Sequence, residues 1–277
     1  MNPNDEAALV VRSHLNGVTT LRLNLPRRLN GWTSEMMAAL QLNLDAARDD
    51  EATKAVILTG TDPYFCAGVN LAGTLKLDHP KTLYQLIKAH NQSLFDQFLD
   101  FDKPILVAVN GPAIGAAVTS ATLCDAIIAS EHATFSTPFA ALGVCPEGCS
   151  SVNFARLMGE ENARRMLFDE GWVPTAAEAL DAGLIDEVVP PDQLMPRAQA
   201  MCEAWIAAGR ERQHKGGLSR EALKAINAQE SEALARCFLD APFLKGQFQF
   251  LWRKKKRGPA LMFLSLWWSR PLWSKLL

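Results

Sequence analysis

Three stretches of the sequence carry groups suited to chemistry. The first, Gly143-Val-Cys-Pro-Glu-Gly-Cys-Ser-Ser151, sets one carboxylate, Glu147, between a proline and a glycine. A carboxylate held in such a turn can serve as a general base, and it can equally be an acid at a helix start with Ser150 as the cap. The second, Thr59-Gly-Thr-Asp-Pro-Tyr-Phe-Cys-Ala-Gly-Val-Asn-Leu71, reads as a strand running into a glycine turn between small residues. The third, Ala108-Val-Asn-Gly-Pro-Ala-Ile-Gly-Ala-Ala-Val-Thr-Ser120, ends a buried strand at Asn110-Gly111 and opens a helix with Gly115-Ala-Ala. A helix start leaves backbone N–H groups unpaired, and small side chains there let a ligand oxygen approach them.

Other catalytic sets are missing. The sequence contains no G-x-S-x-G, no P-loop and no H-E-x-x-H, and its five histidines show no metal spacing, so no metal site is predicted. Cys66, Cys124, Cys145, Cys149, Cys202 and Cys237 are scattered without a C-x-x-C pair, and they read as reduced, buried thiols.

These stretches need a scaffold, and the flanking pattern supplies one. Aliphatic runs at 18–23, 55–59, 105–109 and 126–129 alternate with amphipathic helices over 33–48 and 82–99, which is an α/β rhythm. The unbroken run Pro104-Ile-Leu-Val-Ala-Val109 predicts a sheet covered on both faces. After Pro190-Pro191 the strand signals stop, and the rest reads as helices broken at Gly209, Gly216-Gly217, Pro242 and Gly258-Pro259. With 277 residues, 48% of them hydrophobic, the chain can bury a full core. Its net charge of -2 lacks the basic field that nucleic-acid binding uses. The start, MNPNDEAALV, has no basic, apolar leader, and a cytoplasmic protein is expected.

Taken in order, FCAGVNL and AVNGPAIGAAVTSATLCDAIIAS closely resemble the two segments that build the oxyanion hole of the crotonase (enoyl-CoA hydratase/isomerase) superfamily. The likeness continues through Ala133 to Gly143, and Leu25-Pro-Arg-Arg-Leu-Asn-Gly31 resembles the family's CoA-side motif. The resemblance implies a crotonase-like fold, a layered β/α core of repeated ββα units over residues 1–195. A helical C-terminal region, 196–277, would serve assembly and pocket closure. It also implies backbone donors at Val69 and Ala116, and an acyl-CoA path along Ala67, Gly68, Asn70 and Leu71 past Gly115, Phe139 and Leu142. Arg28 is the candidate for a phosphate.

The hydratase pattern has glutamates where this chain has Thr119 and Phe139, and neither can act as a carboxylate base. TPFAALGVCPEGCSS instead resembles the peroxisomal-type Δ3,Δ2-enoyl-CoA isomerases, which implies that Glu147 is the catalytic base. The expected function is therefore conversion of 3-enoyl-CoA to trans-2-enoyl-CoA in fatty-acid degradation. CoA would be part of the substrate, no separate cofactor would be needed, and the chain would form a homotrimer or hexamer. Thioester hydrolysis, weak hydration and a catalytically silent acyl-CoA or protein-binding module are the alternatives. The tail joins Arg253-Lys-Lys-Lys-Arg257 to an apolar, tryptophan-rich helix. Packing on the oligomer or over the pocket is expected, with contact to a membrane interface as the rival.

Overall fold

A computed structural model describes residues 8–69, 78–168 and 170–277. Strands β1 (Val10–Leu15) and β2 (Val18–Leu23) pair antiparallel, with Leu15 opposite Val18. The two residues between them, Asn16 and Gly17, both have positive φ (50° and 81°), the conformation that a tight hairpin turn requires. β3 (Ala55–Gly60), β4 (Ile105–Val109), β6 (Ala126–Ser130) and β8 (Glu187–Val189) extend the sheet in parallel, giving the order β1-β2-β3-β4-β6-β8. The short strands β5 (Ala113–Ile114) and β7 (Phe135–Ser136) pair with each other beside it.

Every residue of β3, β4 and β6 is buried, as their uninterrupted aliphatic sequences predict for a sheet covered on both faces. On one face Val18, Ala55, Ile57, Leu106 and Ile128 pack against Leu194, Ala198 and Cys202 of helix α7 (Leu194–Ala207). The opposite face joins a larger core with α1 (Ser34–Asp49) and α2 (Pro80–Leu99). α1 begins where its sequence says it should, because the Thr33 hydroxyl accepts the Met36 N–H at 3.2 Å. The remaining helices of the α/β part are α3 (Ala116–Ala121), α4 (Phe139–Leu142), α5 (Ser150–Leu167) and α6 (Ala176–Asp181). One buried ion pair ties the segment after α7 to the sheet. Arg212 bonds Asp125 and donates to the carbonyls of Phe98 and Leu123 at 3.0 and 2.8 Å, so its guanidinium is satisfied without water.

The C-terminal part is helical, as expected: α8 (Arg220–Phe238), α9 (Ala241–Arg253) and α10 (Arg257–Trp273). The breaks expected at Pro242 and Gly258-Pro259 fall just before these residues, at 239–240 and 254–256, and the prolines themselves sit in the first turns of α9 and α10, where a missing N–H costs nothing. These helices and α2 bury their own cluster around Leu83, Leu234, Phe243, Leu251 and Phe263. Phe238 and Phe243 stack with centroids 4.3 Å apart. The expectation of six thiols is corrected here. Cys145 and Cys237, 92 residues apart, form a disulfide that joins the segment before Glu147 to the end of α8. The other four cysteines are free and buried. Among the described residues no helix is long and apolar enough to cross a membrane.

Candidate active site

Two loops meet at the rim of a cleft of about 420 Å³. The Ala67–Val69 loop is pinned from one side by Ala67 N–H donating to Leu29 O (2.9 Å) and Trp32 N–H to Gly68 O (2.8 Å). The Gly115 turn is pinned by Ile114 N–H to Cys66 O (3.0 Å) and Gly115 N–H to Ser136 O (2.7 Å). Both glycines have positive φ, and a Cβ on Gly68 would lie 2.5 Å from Ile114 O and 3.9 Å from Ala116 N. The two sequence motifs, some 45 residues apart, are therefore in contact, and Val69 and Ala116 lie where the two loops meet. No backbone acceptor for either amide is found among the described residues, and both residues line the cleft.

Glu147 lines the same cleft and is 8% exposed. Burial, and secondly the charge of Glu230, push its carboxyl up to about 8. The turn that carries it depends on Gly148, whose φ is +64° and whose Cβ would stand 2.5 Å from the Phe95 ring and 2.7 Å from Thr119 Oγ1. Thr119 lies beneath this turn, fully buried, with its hydroxyl donating to Ala116 O at 3.3 Å. The Gly148 turn thus packs directly on Thr119. Phe139 forms part of the cleft wall with Leu142 and Val144.

Of the residues expected along the acyl-CoA path, Ala67, Gly68, Gly115, Phe139 and Leu142 line the cleft. Arg28 does not: it is exposed at the end of a single 3-10 turn, Pro26–Arg28, beside the Ala67 loop. Asn70 and Leu71 lie outside the described residues. The Ser150 cap is corrected, because its hydroxyl donates to Glu147 O at 2.7 Å and caps no N–H. The cap comes from another helix. Glu230 Oε2 accepts the Cys149 N–H at 2.6 Å, and Oε1 accepts the Ser151 N–H at 2.9 Å.

Sequence reasoning missed the far wall: His90 and Asn91 of α2, and Leu234 and Phe238 of α8. A signal existed in Asn227, Glu230, Ser231 and Leu234, which recur at the spacing of one helix face and are all buried. Polar residues on that spacing usually mark solvent. Here Asn91 donates to Ser231 at 3.0 Å and Asn227 to Asp96 at 2.9 Å, which makes the α2–α8 seam polar.

The sequence profile described as Enoyl-CoA hydratase/isomerase matches residues 13–253. Human Enoyl-CoA delta isomerase 2 is 35% identical over 259 residues, 90% of this chain and 64% of its own length. Mouse Chromodomain Y-like protein is 32% identical over 233 residues, 81% of this chain but only 39% of its own. The chain thus spans less than two thirds of either relative. Among solved structures, an enoyl-CoA hydratase/isomerase from Pseudoalteromonas atlantica T6c superposes with a TM-score of 0.69 at 27% identity, covering 89% of this chain and 97% of that one. An enoyl-CoA hydratase from Mycobacterium avium gives 0.62 at 28% identity, with 83% and 96% covered.

Proposed function

Because the chain belongs to the enoyl-CoA hydratase/isomerase family and keeps Glu147 as a buried carboxylate in its cleft, we propose that it isomerises 3-enoyl-CoA to trans-2-enoyl-CoA. The observation that supports this most is the pairing of Glu147 with Thr119 and Phe139. A proton carrier is present where the water-handling carboxylates of a hydratase are not.

In this reading the thioester oxygen lies between the Val69 and Ala116 amides. Glu147 takes a proton from C2, and the negative charge moves onto that oxygen as a dienolate. Two preorganised N–H donors lower the barrier, each by roughly 3 to 4 kcal/mol. The protonated Glu147 then gives the same proton to C4, the double bond settles between C2 and C3, and the carboxylate is restored. No water takes part, and Phe139, Leu142 and Val144 keep it out. Raised basicity suits the task, since an anionic carboxylate in apolar surroundings is a stronger base than one in water. The CoA moiety runs along the Ala67 loop, with Arg28 at a phosphate. The exposed face of α10, with Trp268 and Leu272 at 84% each, is where copies would assemble into a trimer or hexamer.

The direct experiment is 3-hexenoyl-CoA conversion followed by the ultraviolet absorbance of the conjugated product. Water-dependent release of free CoA would indicate thioester hydrolysis instead, and binding without turnover would indicate a silent module. A pH dependence follows as well. Only ionised Glu147 accepts a proton, so kcat/KM should rise with pH and level off above about 8. The stability consequence has the opposite sense. Between the ordinary value of 4.5 and about 8 the folded state holds the Glu147 proton more tightly than the unfolded chain, so this group's contribution to stability declines as pH rises through that window. Melting curves of the wild type and Glu147→Gln across pH 5 to 9 would separate the two effects, and a flat kcat/KM profile would contradict the assignment of Glu147.

A further inference from the structure

We propose that Glu230 is the positioning residue of this site: its carboxylate clamps the turn that carries Glu147 and sets a second negative charge behind the base. The inference rests on the isomerase reading only in what it says about turnover.

The clamp is geometric. Gly148 and Cys149 are both left-handed, with φ of 64° and 63°. For Cys149 this is a conformation that an L residue keeps only when its surroundings hold it. What holds it is Glu230, whose two oxygens take the N–H groups of Cys149 and Ser151 on either side of the start of α5. Cys149 Sγ adds a bond to Leu223 O at 3.2 Å, also on α8. The turn two residues after Glu147 is thereby fastened to α8 rather than to its own helix.

α8 is in turn fastened to α2 through Asn91 and Ser231, Asn227 and Asp96, and Lys224 and Asp100 at 2.7 Å. Glu230, 6% exposed, lies between Asn227 and Ser231 on that seam and does not line the cleft. It acts on the reaction through Glu147, not on the substrate.

The electrostatic consequence follows from the same contacts. Two backbone N–H donors and the start of α5 stabilise Glu230 as an anion, although burial raises its pKa. Its charge then opposes ionisation of Glu147 after burial has already done so. The other titratable groups around the pair are few. They are the Cys149 thiol, pushed up by burial; His90 on α2, lowered by burial; Asp78 at the cleft wall; and Asp96, bonded to Asn227 with Lys224 at 4.0 Å.

Glu230→Gln keeps the shape, removes the charge and turns one acceptor into a donor facing an N–H. Two changes are expected. The kcat plateau falls by about 10- to 100-fold, because displacements of the order of 1 Å cost that much. The acid limb of kcat/KM moves from about 8 toward lower pH, so activity at pH 6 relative to the plateau rises about 3- to 10-fold. A merely structural residue would lower the plateau and the melting temperature and leave the limb in place. The ionisation of Glu147 is also read without turnover, from the carboxyl carbon of 13C-labelled glutamate, assigned by its loss in Glu147→Gln. If that signal titrates at the same pH in folded Glu230→Gln as in the wild type, the proposal is wrong. A wild type that does not isomerise, but whose Glu147 shifts on Glu230→Gln, would reject the isomerase reading alone.

Should Glu230→Gln fail to fold, Glu230→Asp keeps the charge but is too short to reach both the Cys149 and the Ser151 N–H. Its kcat plateau should fall about 10-fold or more while the Glu147 carboxyl signal stays raised. An unchanged plateau in folded Glu230→Asp would overturn the clamp, and a Glu147 signal that drops to the ordinary carboxylate range although the charge is kept would overturn the electrostatic part.

Discussion

Glu147→Gln should lower kcat for 3-hexenoyl-CoA isomerisation by about 100- to 10,000-fold, the scale of losing a general base, while leaving acyl-CoA binding near normal. The amide keeps the side-chain shape and cannot carry the proton from C2 to C4. Because the donors at Val69 and Ala116 and the Ala67 loop are untouched, the loss belongs in kcat and not in KM. The variant should also fold at least as well as the wild type. Above about pH 8 the native enzyme holds a buried charge that the amide does not have, so Glu147→Gln should melt at the same or a higher temperature there. A purely structural role forecasts a lower melting temperature with ordinary turnover. Kinetics and a thermal melt on one purified variant decide the matter, and wild-type turnover in a folded Glu147→Gln enzyme would end the proposed mechanism.

The second large effect is expected at Gly68→Ala. A methyl there would meet Ile114 O at 2.5 Å, a backbone atom that cannot rotate away, in a residue whose φ is +76°. Relief requires the Ala67–Val69 loop to move off the Gly115 turn, which separates the two amides. Losing the alignment of one oxyanion donor costs about 100- to 1,000-fold in kcat. Gly246→Ala on α9, where an added Cβ meets nothing within 4 Å, is the control and should leave turnover unchanged. If folded Gly68→Ala retains more than a third of wild-type kcat, Val69 and Ala116 do not form an oxyanion hole.

Much of the scaffold was legible because it is written in local pattern. β4 matches its predicted range, and α1 starts one residue after Thr33, where the cap directs it. β1 escaped notice because five of its six residues are exposed and its sequence, VVRSHL, carries no apolar alternation. The one local signal beside it, the Asn16-Gly17 turn, was not read. Within the site, Val69, Ala116, Phe139 and Glu147 were legible from short motifs whose small residues are dictated by close approach. The α8 wall was not. Glu230 is followed by Ser231 and Glu232 and looks like one acid of a solvated face, and only its distance to Cys149, 81 residues away, reveals its use. The Cys145–Cys237 bond was invisible for the same reason, since no spacing rule spans 92 residues. Arg28 shows the converse, where a motif supplied a role that the cleft itself neither requires nor excludes.

The position of α8 in the sequence has a consequence for the order in which the cleft is assembled. Glu147 leaves the ribosome well before Phe238, and at the usual 5 to 20 residues per second the delay is roughly 5 to 18 s. During that interval the Ala67–Val69 loop and the Gly115 turn can already be paired, but the cleft lacks the wall that Leu234 and Phe238 supply and Cys145 lacks its partner. The order of the helices along the chain thus makes α8 the element that completes the cleft around Glu147.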